Sequence, residues 1–156
     1  MSNVKQNIIY QIAYQILTIL LPIVTVPYVA RVLGAEGVGT YSYTYSIVSY
    51  FVLFAKLGVH LYGNRAIALD KHDKEKLNRT FSEIFFVHVV VSIIAIIGLG
   101  IYITMVQKNY RAIFLIQMLY LLGELIDVNW LFFGLEKFKI TVTRNTIIKL
   151  ISTFAV

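Results

Sequence analysis

QNIIYQIAYQILTILLPIVTVPYVA, Gln6–Ala30, carries no acid and no base over 25 residues. A helix rises about 1.5 Å per residue, so such a run crosses the ~30 Å of hydrocarbon in a bilayer. A cleaved secretory signal has an apolar region of only about 7–15 residues, followed by a small-residue cleavage site. This run is longer and no such site follows it cleanly, so it is expected to stay in place as an anchor helix. Lys5 opens it and Arg31 closes it.

The same pattern repeats outward from there. Nineteen uncharged residues separate Glu36 from Lys56, and 24 separate Glu83 from Lys108. A fourth apolar block, Arg111 to Gly134, is interrupted by Glu124 and Asp127, and a fifth starts near Thr141 and still runs at Val156. The expectation is an all-α, polytopic transmembrane helix bundle with spans at about residues 8–32, 37–58, 82–107 and 111–134, and an incomplete one at 141–156.

Composition agrees. The 156 residues are 58% hydrophobic with a mean hydropathy of +0.75, and only 14% are charged, against ~25% in a soluble domain. There is no cysteine, which excludes disulfides, thiol catalysis and cysteine metal sites. The net charge of +6 does not indicate nucleic acid, because the basic residues flank apolar runs and form no patch on a soluble fold.

Their distribution sets an orientation. With a cytoplasmic N-terminus, the polar segments LDKHDKEKLNR (Leu69–Arg79) and EKFKITVTRN (Glu136–Asn145) also face the cytoplasm. Eleven basic residues then lie inside and three, Arg31, Lys108 and Arg111, outside. The positive-inside rule selects this arrangement. LGAEGVG (Leu33–Gly39) is expected as an outer loop, and VQKNY (Val106–Tyr110) as an outer turn.

Several spans carry more than apolar filling. Pro22 and Pro27 sit inside the first, where each removes a backbone donor; they read either as a packing kink or as a hinge in a moving helix. In the second span Gly39, Ser42, Ser46 and Ser49 make a small-residue face suited to close helix approach. Tyr41 and Tyr45 form an aromatic stripe beside it, with Tyr43 and Tyr50 elsewhere. Such tyrosines read as an interfacial belt or as a wall that meets sugar rings. Tyr10 with Tyr14, and Gln11 with Gln15, make short stripes at the inner end of the first span.

Glu124 and Asp127 are three apart, which places them on one helix face. Carboxylates within a span are costly and mark a function or a buried ion pair. They hold a proton, bind a cation, or pair with Arg31 or Lys56. His60 and His88 stand apart in the sequence, and His72 lies in the charged segment. There is no HExxH, no phosphate-binding glycine loop and no nucleophile elbow, so neither catalytic residues, a metal site nor a cofactor is expected.

PYVARVLGAEGVG (Pro27–Gly39), YGNR (Tyr62–Arg65) and DVNWLFFGLEKF (Asp127–Phe138) together resemble the N-terminal part of bacterial polysaccharide and O-antigen flippases. These form a branch of the multidrug/oligosaccharidyl-lipid/polysaccharide exporter superfamily. The patterns P-Y-x-x-R-x-L-G-x-x-x-x-G, Y-G-x-R and D-x-x-W-x-F-x-G-x-E-x-F carry the resemblance over nearly the whole chain. It implies part of one lobe of a two-lobe transporter in the bacterial inner membrane. The implied substrate is an oligosaccharide on a polyprenyl pyrophosphate, moved outward for surface polysaccharide (O-antigen, lipopolysaccharide) synthesis. Implied partners are the bilayer, this lipid-linked glycan, the remainder of a transporter and other polysaccharide-assembly membrane proteins. Arg31 and Arg65 are implied as pyrophosphate-binding residues of the cavity, Glu124 and Asp127 as ion-coupling residues, and Pro22 and Pro27 as gating kinks. Guanidinium forks suit phosphate oxygens. Other readings are a drug/cation antiporter of the same superfamily, which favours acidic cavity residues, and a truncated, nonfunctional or scaffold membrane protein.

Overall fold

A computed structural model describes residues 4–106 and 108–154; of residues 4–8, 10, 11, 138, 139 and 152–154 it describes the backbone alone. The stripes expected from Tyr10 and Gln11 therefore lie outside the described side chains. The helices are α1 (Val4–Lys56), α2 (Val59–Asp70), α3 (Lys74–Met105), α4 (Lys108–Leu125), α5 (Asn129–Gly134) and α6 (Phe138–Phe154), and no strand occurs among the described residues. Among the described residues, three helical stretches are long and apolar enough to cross a membrane: Ile12–Asp70, Lys74–Met105 and Lys108–Gly134. At 59 residues the first has length for two crossings, since one needs ~20 residues. The chain is an all-α, multi-pass membrane helix bundle.

α1 covers the first two apolar runs and the segment between them. Within it the backbone leaves helical dihedrals at Gly34 (φ 69°, ψ 176°). The expected outer loop Leu33–Gly39 is thus a one-residue corner. Glycine reaches this positive φ without a Cβ penalty, while Ala35 and Glu36 are good helix formers. Pro22 and Pro27 make no such break: both lie within helical backbone, where a proline's fixed φ is tolerated. The carbonyl that Pro22 leaves without its usual N–H partner belongs to Thr18, and Lys149 Nζ of α6 reaches it at 3.5 Å.

The later half of α1 packs against α3 and α4. Val48, Val52 and Ala55 meet Ala95, Leu99 and Ile103 of α3 and Phe114 and Leu121 of α4 in one buried core. Thr44, four residues before Val48, is fully buried on the same stripe and accepts from Gln117 Nε2 at 3.0 Å. This stripe takes the contact that the sequence assigned to Gly39, Ser42, Ser46 and Ser49. Gly39, Ser42 and Ser46 are exposed, and a Cβ at Gly39 would meet nothing within 4 Å. The Ser46 and Ser49 hydroxyls donate to the carbonyls of Ser42 and Tyr45 on their own helix. Being satisfied locally, they need no neighbour.

Two breaks shape the other end of the bundle. α1 stops at Leu57 and Gly58, both with positive φ (36° and 74°), and α2 follows. The fourth apolar block divides into α4 and α5 around Ile126–Val128. α2 and α5 then pack side by side in the same direction. Trp130 lies on Gly63, and Gly134 lies on Ile67 and the Asn64 carbonyl. Trp130 also stacks on Phe81 of α3 at 5.6 Å, and with Val59, Ile67 and Ile84 forms a second buried core. α3 begins in the charged segment read from the sequence as a loop: Asp73 caps it by accepting from the Glu75 and Lys76 amides at 3.1 and 3.2 Å. The capping hydrogen bond to Lys76 is the main cause that holds the Asp73 carboxyl below its ordinary value, against the small cost of burial.

Candidate functional site

The two helix breaks bring four ionisable side chains together. Lys56 ends α1, His60 opens α2, Glu124 lies in the last turn of α4, and Asp127 sits in the α4–α5 break. Glu124 is the centre. Its Oε2 lies 3.5 Å from Lys56 Nζ and its Oε1 lies 3.1 Å from His60 Nε2. His60 Nε2 is also 3.7 Å from Asp127 Oδ2. The Glu124 side chain is only 7% exposed, whereas Lys56 and His60 are 37% and 31% exposed. One side of the cluster thus faces the protein and the other opens outward.

The surrounding backbone fixes these groups. Glu124 has its own carbonyl bound at 2.9 Å by Nε2 of the fully buried His88 on α3. Asp127 accepts from the Asn129 amide at 3.1 Å through Oδ1, which leaves Oδ2 for His60. Asp127 does not share a helix face with Glu124, as their spacing suggests, because α4 ends at Leu125. The break turns Asp127 back so that both carboxylates still reach one imidazole.

A row of tyrosines leads to this cluster. Tyr41 and Tyr45 stack at 5.7 Å, and Tyr45 meets Tyr120 of α4 at 6.1 Å. Tyr120 precedes Glu124 by one helical turn, and all three rings are at least 39% exposed. Tyr43 lies elsewhere, against Tyr110 at 5.8 Å, and Tyr50 is 73% exposed.

The two arginines take no part in the cluster. Arg31 is exposed, three residues before the Gly34 corner, and Arg65 is exposed on α2 between the residues that face α5. Among the described residues no hydrogen bond or ion pair holds either guanidinium. Arg31 does not pair with Glu124 or Asp127; Lys56 does. His60 was not legible as a partner, because it reaches Glu124 across 64 residues. The available signal was indirect: a carboxylate in a span needs a cation at its own depth, and the run that ends at Lys56 supplies one with His60 four residues on.

The chain is similar to proteins of known family. The family described as "Polysaccharide biosynthesis protein" matches residues 4–156. A protein of Escherichia coli (strain K12) named "Putative O-antigen transporter" is 31% identical over 139 residues, 88% of this chain and 34% of that protein. A protein of the same name from Shigella dysenteriae is 32% identical over 148 residues, 94% of this chain and 37% of that protein. The chain thus spans about a third of the length of these relatives. No solved structure matches it. On the match over residues 4–156, this chain belongs to the polysaccharide biosynthesis protein family.

Proposed function

We propose that this chain is the leading part of a transporter that moves a polyprenyl-pyrophosphate-linked oligosaccharide across the bacterial inner membrane. The N-terminus is cytoplasmic in this reading. The observation that carries it is the family match along residues 4–156, joined to relatives named for O-antigen transport. The chemistry of the chain supports it. A pyrophosphate cannot enter hydrocarbon alone without a very large desolvation cost. Arg31 and Arg65 are exposed guanidinium groups with no partner among the described residues, so both are available to phosphate oxygens. Glu124 and Asp127 act as the ion-coupling pair at the α4–α5 break, facing Lys56 and His60 at the α1–α2 break, a backbone arrangement that suits ion sites in transporters. Pro22 and Pro27 act as gating positions through the helical N–H donors they remove, Lys149 standing in for one of them at the Thr18 carbonyl, with Gly34 as the corner about which α1 rearranges.

A drug/cation antiporter is the second reading, and Glu124 is the observation that bears on it. Its carboxylate already has Lys56 and His60 as partners, so it offers less to a cationic drug than a free acid would. The test uses the whole protein that carries this chain: export of the glycan repeat is measured for Arg31→Ala at matched membrane level. The expected result is impaired export with normal insertion. Normal export by that variant would remove Arg31 from the cavity.

A further inference from the structure

The coupling reading leaves open which ion the cluster takes and which atom receives it. We infer that the ion is a proton, and that His60 receives it as part of a clamp across the two helix breaks. This inference rests on the reading of Glu124 and Asp127 as a coupling pair, but its geometry stands on its own.

Charge and ligand chemistry together decide between a proton and a metal cation. Lys56 already occupies one side of Glu124 at 3.5 Å. With a neutral imidazole, one ammonium faces two carboxylates and the cluster carries one negative charge. A proton on His60 brings it to zero, the least costly state in a low-dielectric setting. A divalent cation would leave an excess positive charge; an alkali cation would balance the charge as the proton does, but it takes oxygen ligands where this cluster offers an imidazole nitrogen between its carboxylates, and it would stand beside the Lys56 ammonium. Histidine is also the side chain suited to change charge between about pH 5 and 8.

The atoms are arranged for this step. His60 Nε2 faces Glu124 Oε1 at 3.1 Å and Asp127 Oδ2 at 3.7 Å. The neutral ring therefore keeps its proton on Nε2, toward these two acceptors, and the added proton enters at Nδ1. The side chain is 31% exposed, so water can deliver it. The other titratable groups nearby are Tyr120, one turn from Glu124, His88, committed through Nε2 to the Glu124 carbonyl, and Tyr62 and Glu83, which share a hollow beside the α1–α2 break. α5 contributes none, since it reads NWLFFG.

Protonation strengthens the pull between the first turn of α2 and the α4–α5 break. Those are the two points where the helices are interrupted. The adjoining contact is Gly63 against Trp130, so α2 and α5 would tighten together when the proton binds and loosen when it leaves. The site thus couples proton occupancy to the packing of two half-helices.

Trp130 is the only tryptophan in the chain and reports on that contact. The test follows its emission from pH 5 to 8 in the chain reconstituted into nanodiscs of neutral lipid, at fixed ionic strength. The expected result is a single transition that His60→Gln abolishes and His72→Gln keeps. His60→Lys, which carries the charge throughout, should hold the emission at its acid value across the range, and this guards against simple misfolding of the glutamine variant. Persistence of the transition in His60→Gln, or its absence from the unaltered chain, overturns the inference. So does a transition produced at constant pH by zinc or sodium ions. Export by the whole protein separates the two readings. A His60 transition with export unaffected by His60→Gln keeps the proton site and removes the coupling role. Impaired export by Glu124→Gln without any His60 transition does the reverse.

Discussion

Lys149 Nζ of α6 lies 3.5 Å from the carbonyl oxygen of Thr18, the oxygen that Pro22 deprives of its helical N–H donor. In a membrane an unpaired carbonyl costs free energy that water would otherwise offset. The lysine supplies the missing donor and ties α6 to the middle of the first apolar run. Lys149→Met is therefore expected to lower thermal stability in detergent by about 1 kcal/mol. Pro22→Ala restores the local N–H, so the same lysine change should cost markedly less in that background. Unfolding of the four proteins in the double-mutant cycle measures the difference; equal costs in both backgrounds would separate Lys149 from the proline.

The α2–α5 contact is built on two glycines. A Cβ on Gly134 would lie 2.6 Å from Ile67 Cβ and 2.8 Å from the Asn64 carbonyl oxygen. Neither the Cβ nor the backbone oxygen can swing away. Gly134→Ala should destabilise the bundle by about 2–3 kcal/mol through overpacking. Gly123→Ala is the control, since a Cβ there meets nothing within 4 Å, and it should be neutral or mildly stabilising by up to about 1 kcal/mol. A thermal shift measurement on the two variants checks the contrast.

These two relationships show where the sequence was legible. Uncharged run lengths carry the membrane class directly, because the bilayer sets them. The pattern D-x-x-W-x-F-x-G carries the family, and the structure supplies its reason: Trp130 and Gly134 are the two points where α5 meets α2. The Gly34 corner was hidden because seven loop-like residues, LGAEGVG, look alike until backbone dihedrals show that one suffices. The small-residue face of Gly39, Ser42, Ser46 and Ser49 is not the one that packs among the described residues, and the contact runs along Thr44, Val48, Val52 and Ala55, a stripe that spacing alone did not single out. The cluster at Glu124 joins Lys56 and His60 to it over more than 60 residues of chain, and only tertiary packing brings such groups together.

Leu57 and Gly58 both adopt positive φ at the end of α1, and Leu57 has a Cβ that this region disfavours. Leu57 is also 58% exposed, so little packing offsets the strain. Leu57→Gly is expected to raise stability by about 1 kcal/mol, in spite of the larger entropy a glycine adds to the unfolded chain. A drop in melting temperature would mean that Leu57 contributes more by contact than by strain.

The α5–α6 turn carries a pH-dependent tie. Lys71 Nζ lies 2.7 Å from Glu136 Oε1, and this hydrogen bond and its charge hold the Glu136 carboxyl below its ordinary value, with a smaller contribution from His72. A depressed folded-state value means the stabilisation is fully present above the unfolded carboxyl range and is lost as pH falls through it. The melting-temperature advantage of the unaltered chain over Glu136→Gln should therefore hold at neutral pH and shrink as pH falls below about 4.5. Salt should reduce it too, because the glutamate is well exposed. An advantage that persists under strong acid would point to packing of the side chain instead of its charge.

Glu124 gives the sharpest test of how this bundle tolerates charge. Its carboxylate is 7% exposed and is shared by Lys56 and His60. Glu124→Gln leaves the Lys56 ammonium without its anion beside an apolar core. Breaking an enclosed ion pair costs about 3–5 kcal/mol; here the figure falls to roughly 2 kcal/mol, because Lys56 is 37% exposed and water screens it. Replacing both groups by apolar ones of similar size, Lys56→Met with Glu124→Leu, removes the uncompensated charge as well as the attraction. That double variant should therefore unfold close to the unaltered chain and well above Glu124→Gln alone. If it is stable but the whole protein no longer exports, the pair is kept for its function. If it is as unstable as the single variant, the cluster holds the two helix breaks together chiefly by its polar contacts, including the His60 bond that the leucine also removes.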